Sequence, residues 1–279
     1  MSSVIAIYRD VRFSPNSVAA DRSIMDATID RLSQHQVLAI AEHELGEQHR
    51  ADLFLSMGRL PRTIQLLKAR EQQDRALVIN NAAALERFSR RHILQMMQEN
   101  GIPTPPETGE HGYWVKRADA AAQTKADVVF CSDKATAEKT KRNFALRGVN
   151  DVVISAHVVG DLIKFYGVGD SFFWYFYPTD NGHSKFGNEK RNGIAQHFGF
   201  NLHELRVAAT RLARLTGIDV YGGDCIVSED GTVRLIDFND WPSFAPCREA
   251  AAPFIAACII GSISLRPGCY APSGASSQK

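Results

Sequence analysis

Short apolar runs alternate with amphipathic stretches through the first eighty residues. Val4–Tyr8 is an apolar run of strand length, and Val37–Ala41, Asp52–Met57 and Ala76–Asn80 are three more. Between them, Ile24, Ala27, Thr28 and Leu32 recur at helical spacing, and Thr63–Gln72 reads as a second helix. Strands alternating with helices predict a small parallel α/β layer over residues 1–80. The loops Arg9–Asn16 and Gly58–Arg59 would then lie at the carboxyl edge of the sheet, where such layers bind ligands. No GxGxxG follows any of these strands, so a dinucleotide is not expected.

The pattern then changes. Asn81–Asn100 reads as one helix with Leu85, Phe88, His92 and Met96 on one face. Gly101 ends it, and Pro103, Pro105 and Pro106 forbid its continuation, which marks a domain boundary. Tyr113–Lys116, Val128–Phe130, Asp151–Ser155, Leu162–Tyr166 and Phe172–Tyr177 read as strands, with a Lys- and Arg-rich helix at Thr136–Ala145. A polar loop, Thr179–Gly193, carries Lys185, Lys190 and Arg191. Leu202–Thr216 is an amphipathic helix ended by Gly217, and Arg248–Ile260 is the last helix. Residues 271–279 form a polar tail that is expected to be disordered.

The stretch between those two helices carries the chemistry. Asp224–Asn239 reads as two strands around Asp230-Gly231, a strong two-residue turn signal. That turn sets Glu229 opposite Thr232, Ile226 opposite Leu235 and Asp224 opposite Asp237, with Asn239 on the same face as Asp237. Two facing carboxylates at roughly 5 Å repel by about 3 kcal/mol at an effective dielectric near 20. Such a pair calls for a cation or a shared proton. With the Asn239 amide oxygen it offers three hard donors, a set that suits Mg²⁺. The same pattern fits a solvated hairpin with a chance aspartate pair, and a one-residue slip would turn Asp237 to the other face.

Composition works mainly by exclusion. The chain has 279 residues, long enough for one to three subdomains, and is 44% hydrophobic and 23% charged. A net charge of +1 gives no argument for nucleic acid or membrane binding. No apolar run reaches the length of a membrane span, and Val4–Tyr8 is too short for a signal-peptide core. Five scattered cysteines without CxxC spacing read as reduced thiols of a cytoplasmic protein.

In its order of motifs the chain resembles the ATP-grasp superfamily, which includes carboxylate–amine ligases such as glutathione synthetase, D-alanine–D-alanine ligase and ribosomal-protein glutamate ligase. The matching residues are Asp224, then Asp237-Phe238-Asn239 and Pro242. Asn80-Asn81, a helix and Gly101-Ile102-Pro103 match the approach to the small lobe, with Lys116 at a strand end and Ile154–Lys164 as the interlobe hinge. The resemblance spans roughly residues 80–250. It departs in three places: residues 117–125 lack the glycines of a phosphate flap, Ser155-Ala156 replaces Gln-Glu, and Asp237 stands where Glu is common.

The resemblance implies an α/β fold in which two lobes clamp a nucleotide. The expected divisions are a front layer (1–80), a small lobe (81–155), a metal-bearing large lobe (156–270) and the tail. It implies ATP with one or two Mg²⁺ ions (or Mn²⁺) held by Asp224, Asp237 and Asn239. Lys116 is expected on phosphate, Ser155, Ala156, His157 and Val158 on adenine, and Asp161 on ribose. Lys164 pays desolvation among Leu162, Ile163 and Phe165 unless it meets a phosphate, a substrate carboxylate or a structural Asp. Lys185 and Arg191 are the candidate catalytic cations, and Trp241, Ser243, Arg12 and Ser14 the candidate substrate residues. The implied reaction activates a carboxylate as an acyl phosphate for attack by an amine, releasing ADP and phosphate. Such enzymes are often homodimers. A small-molecule kinase resembling the inositol phosphate kinases is the alternative, and a regulatory nucleotide-binding module a third.

Overall fold

The structure, a computed structural model, describes residues 2–119, 124–180 and 191–264. The polar tail, Lys185 and residues 120–123 of the flap segment lie outside the described residues.

The front layer is built as its apolar runs predict. Strands β1 (Ser3–Tyr8), β2 (Gln36–Ala41), β3 (Leu53–Ser56) and β4 (Leu77–Ile79) form one parallel sheet in the order β2-β1-β3-β4. Helix α1 (Val18–Asp30) and helix α2 (Pro61–Gln73) connect them, and α2 begins with proline in its first turn, where a missing N–H costs nothing.

The predicted single helix over 81–100 is two: α3 (Ala82–Glu86) and α4 (Arg90–Glu99). The break falls at Ser89, whose side chain accepts from the His92 N–H and so caps a new helix. Strands β5 (Tyr113–Arg117), β6 (Val128–Cys131) and β7 (Val152–Ala156) make a small antiparallel sheet, order β6-β5-β7, covered by α5 (Lys134–Leu146). It has its own core of Tyr113, Val115, Phe144 and Val149.

The second antiparallel sheet runs β11-β10-β8-β9, from β8 (Asp161–Val168), β9 (Phe172–Phe176), β10 (Val220–Val227) and β11 (Val233–Asp240). Helix α6 (Leu202–Thr216) precedes β10 and stops at Gly217, whose φ of +73° gives the left-handed cap. The last helix, α7 (Arg248–Ser264), packs on α1, and one apolar cluster joins Val4, Met25 and Leu55 of the front layer to Trp241, Phe244 and Ile255. Asn80 adds a polar link: its amide donates to the Val220 carbonyl and accepts from the Val220 N–H, both at 2.8 Å.

The β10–β11 hairpin corrects the predicted turn but keeps its consequence. Ser228 N–H donates to Thr232 O, and Gly231 N–H to Ser228 O, closing a three-residue loop with Gly231 at φ +79°. That turn pairs Ile226 with Arg234 and Cys225 with Leu235, one residue off the expected register. A bulge beyond Cys225 takes up the odd residue, so Asp224 does face Asp237 and Gly222 faces Asn239.

Candidate active site

A cavity of about 750 Å³ opens between the two antiparallel sheets and the carboxyl edge of the front layer. Asp224, Asp237 and Asn239 line it, as the alternation along β10 and β11 requires. Three cations from three elements converge on the two carboxylates. Lys164, on β8 and in register with Asp224, donates to both of its oxygens at 3.1 and 3.2 Å. Arg90, the first residue of α4, reaches Asp237 Oδ2 at 3.2 Å and the Arg117 carbonyl at 2.6 Å. Lys116, on β5, donates to the Ile236 carbonyl at 3.1 Å.

Three cations meet two carboxylates in this group, and their fields together with burial set the protonation. Burial pushes the Asp237 carboxyl up, but the Arg90 and Lys116 charges outweigh it, so its pKa lies below the usual carboxylate range. Burial pulls the Lys116 ammonium down, with Asp237 opposing and Arg90 reinforcing the shift. Arg90 was not legible as a site residue, because the helix it begins was read as the middle of a longer one. The signal that could have found it is Ser89, a capping residue directly before Arg90-Arg91.

Among the described residues, no three His, Cys, Asp or Glu side chains gather as a metal cluster. The third donor here is an amide, Asn239. The set fits a hard divalent cation: the facing carboxylates already attract positive charge, with Lys164 on one and Arg90 on the other.

At the hinge after β7, Ser155, Ala156, His157 and Val158 line the cavity together with Trp114. Two hinge donors are already used, Ala156 N–H by Pro106 O and His157 N–H by Gly112 O, both at 2.8 Å. The His157 ring packs edge-on to Trp114 and Phe130 and accepts from the Trp114 indole at 3.1 Å. Burial and then the nearby Arg191 charge lower its pKa, which favours the neutral ring. Arg191 lines the cavity with its guanidinium 3.6 Å above the Phe130 ring.

Three expected site residues sit elsewhere. Asp161 is buried and accepts from Gln196 N–H at 2.7 Å and Phe198 N–H at 2.8 Å, so its carboxylate anchors the chain before α6 and does not line the cavity. Trp241 is a core residue, 0% exposed, placed inward by the backbone turn at its φ of +31°. Arg12 folds back on Asp10 at 2.9 Å with its side chain 65% exposed. Ser14 and Ser243 do line the cavity, beside Phe13, Asn16 and Tyr166.

The front layer contributes a buried charge network that the sequence did not disclose. Arg9 bonds Asp21 at 2.8 Å, the Trp241 carbonyl at 2.7 Å and the Met57 carbonyl at 3.3 Å. Arg59 grips Asp240 through Nε at 3.2 Å and through Nη2. Burial raises the Asp240 carboxyl, and the Arg59 and Arg9 charges more than offset that, leaving its pKa depressed. Glu42 holds the loops in place by accepting from Asp10 N–H at 2.9 Å, Arg59 N–H at 2.6 Å and Leu60 N–H at 2.5 Å.

A front parallel layer and two antiparallel sheets around a charged cleft make a two-lobed architecture. The particular fold is ATP-grasp, as comparison with solved structures shows. D-alanyl-alanine synthetase A from Vibrio cholerae superposes with a TM-score of 0.66 at 9% identity, covering 94% of this chain and 98% of that one. D-alanine–D-alanine ligase from Bacillus anthracis complexed with ATP gives 0.66 at 13%, with coverages of 95% and 98%. A RimK domain ATP-grasp protein from Sphaerobacter thermophilus gives 0.62 at 15%, with 92% and 100%. By sequence, no family model and no curated protein matches the chain. No helix among the described residues is long and apolar enough to cross a membrane.

Proposed function

We propose that the protein is an ATP- and Mg²⁺-dependent ligase that phosphorylates a small-molecule carboxylate and transfers the acyl group to an amine. The observation that carries this reading is the facing pair Asp224 and Asp237, met by Lys164, Arg90 and Lys116 from three separate elements. Several solved structures of this fold are ligases or synthetases by name, among them the D-alanyl-alanine synthetase and the D-alanine–D-alanine ligase above.

The nucleotide lies between the lobes, with its base at Ser155–Val158 and its phosphates toward Lys116, Arg90 and Lys164. Asp224, Asp237 and Asn239 would hold the divalent ion, which when bound offsets charge on the terminal phosphates. The chain's own cations do the rest: positioned before the reaction, they stabilise the charge on the transferring phosphoryl group without reorganising. Proton removal from the attacking amine falls to a group beside the cleft or to solvent.

At the front-layer end of the cleft the arginines are each paired, Arg9 with Asp21 and Arg59 with Asp240, which favours a substrate of low charge over a polyphosphorylated one. The test is ADP release from MgATP against a panel of carboxylates with hydroxylamine as the amine. Hydroxamate formed in step with ADP supports the ligase. ADP released with alcohols and no hydroxamate would move the protein to the kinase reading.

A further inference from the structure

We propose that Arg59 binds the carboxylate of the substrate, with Asp240 as the residue that positions it. This rests on the ligase reading and deepens it, since nothing above assigns the anion-binding group at the substrate end.

The two arginines of the front layer differ in how their donors are spent. Arg9 has a partner for Nε, Nη1 and Nη2, namely the Met57 carbonyl, Asp21 and the Trp241 carbonyl, and its side chain is 6% exposed. It is a structural brace. Arg59 keeps donors in hand: Nε and Nη2 grip the Asp240 carboxylate, Nη2 also lies 3.4 Å from the Asp240 carbonyl, and no hydrogen bond from Nη1 is found among the described residues. Its side chain is 19% exposed, against 3% for Asp240, and it lines the cavity.

The guanidinium is a rigid planar fork. Fixing its Nε edge on a buried carboxylate therefore fixes the direction of the Nη1 end, and the residue lines the cleft. The backbone is fixed as well, because Glu42 accepts from the N–H groups of both Arg59 and Leu60. Such pre-organisation means that little side-chain freedom is lost when an anion binds.

The ligand is a planar two-oxygen anion. Two sources exist in the proposed reaction, the substrate carboxylate and the nucleotide phosphates. Position favours the carboxylate. Arg59 belongs to the front layer, in the loop between β3 and α2, whereas Lys116, Lys164 and the hinge belong to the two lobes, although all of them line the same cavity. Asp240 directly follows Asn239 on β11, so the same anchor also ties the substrate's binding group to the strand that bears the metal donors.

The test uses the full chain, MgATP, hydroxylamine and whichever carboxylate of the panel gives the most hydroxamate. Arg59→Lys keeps the charge and loses the fork. It should raise the KM for the carboxylate about tenfold or more, with the KM for ATP within about twofold of wild type. Phenylglyoxal labelling of the wild-type protein, mapped by mass spectrometry, gives a second readout that needs no variant. Arg59 should be protected by the carboxylate and not by MgATP. A rise in the ATP KM alone, or protection by MgATP alone, would assign Arg59 to phosphate and overturn the proposal. Equal losses in kcat and both KM values with unchanged labelling would make it a structural residue and overturn it too. If the wild type forms no hydroxamate with any carboxylate, the ligase reading fails first and takes this one with it.

Discussion

At the scale of single residues, the site is a balance of close charges, and each member can be removed separately. Asp237→Asn deletes one carboxylate while keeping the side-chain shape. We expect turnover to fall by on the order of 100-fold or more, about 2.7 kcal/mol at the transition state, with the melting temperature nearly unchanged. ADP release followed by a coupled assay checks it, and wild-type rates would remove Asp237 from the metal site. Lys116→Ala removes a half-buried cation near Asp237 and should weaken ATP binding roughly tenfold to hundredfold, read by calorimetry. Asp240 gives a pH prediction. Its folded pKa is depressed, so its ion pairing contributes stability above the unfolded value of about 3.9, and that contribution is lost as pH falls from there through the folded value. Urea unfolding between pH 5 and 3 should therefore show a steeper loss in wild type than in Asp240→Asn. Parallel curves would show that the Arg59 and Arg9 pairs do not hold that charge.

Residue by residue, legibility followed sequence distance. Asp224 and Asp237 could be read because one hairpin connects them and the bulge beyond Cys225 restores the pairing that the turn displaces. For Arg59 only the loop could be placed at the ligand-binding edge, and for Arg90 only the capping Ser89 gives a signal; the contacts themselves could not be read, because each partner lies far along the chain: Arg59 meets Asp240 across 181 positions and Arg90 meets Asp237 across 147. Asp161 and Trp241 misled for the opposite reason. A polar or aromatic residue next to a motif looks functional until its hydrogen bonds or burial are seen.

At the scale of elements, the hairpin shows how two errors of local reading can cancel. Asp230-Gly231 suggested a two-residue turn, yet Gly231 takes the left-handed third position of a longer loop. The bulge that follows restores the register before the carboxylates are reached. Ile236 lies at that bulge, and its carbonyl is the one Lys116 meets. The irregularity thus falls between the turn and the acidic pair. Helix α4 offers a second element-level test. Ser89 caps it and Arg90 is its first residue, so Ser89→Ala should cost about 1 kcal/mol of stability and also loosen the Arg90 contact to Asp237. Thermal unfolding together with ATP affinity checks this. A loss of stability with unaltered affinity would separate the cap from the site.

At the scale of the whole molecule, the front layer was legible from apolar runs alone, and the order of motifs disclosed the two lobes behind it. What the pattern of the chain could not show was how the parts join. One apolar cluster runs from β1 and α1 through Trp241 and Phe244 to α7, and Asn80 bonds both backbone groups of Val220. The nucleotide is expected to act on the whole assembly: binding at a hundredfold excess over the dissociation constant should add about 2.7 kcal/mol to stability, and the gain should depend on Mg²⁺. Differential scanning fluorimetry with ATP and ADP, each with and without Mg²⁺, measures it, and no shift with any nucleotide would empty the cleft of its proposed role.

That common core has a mechanical meaning. The front layer and the β8–β11 sheet share buried side chains, while the β5–β7 sheet keeps a core of its own. The front layer, Arg59 included, is packed as one body with the sheet that carries Asp237 and Asn239, and the small sheet meets that body through polar contacts, Lys116 to the Ile236 carbonyl and Arg90 to the Arg117 carbonyl. Residues 1–80 cut away as a fragment would lose the α7 side of their core and should remain unfolded by circular dichroism.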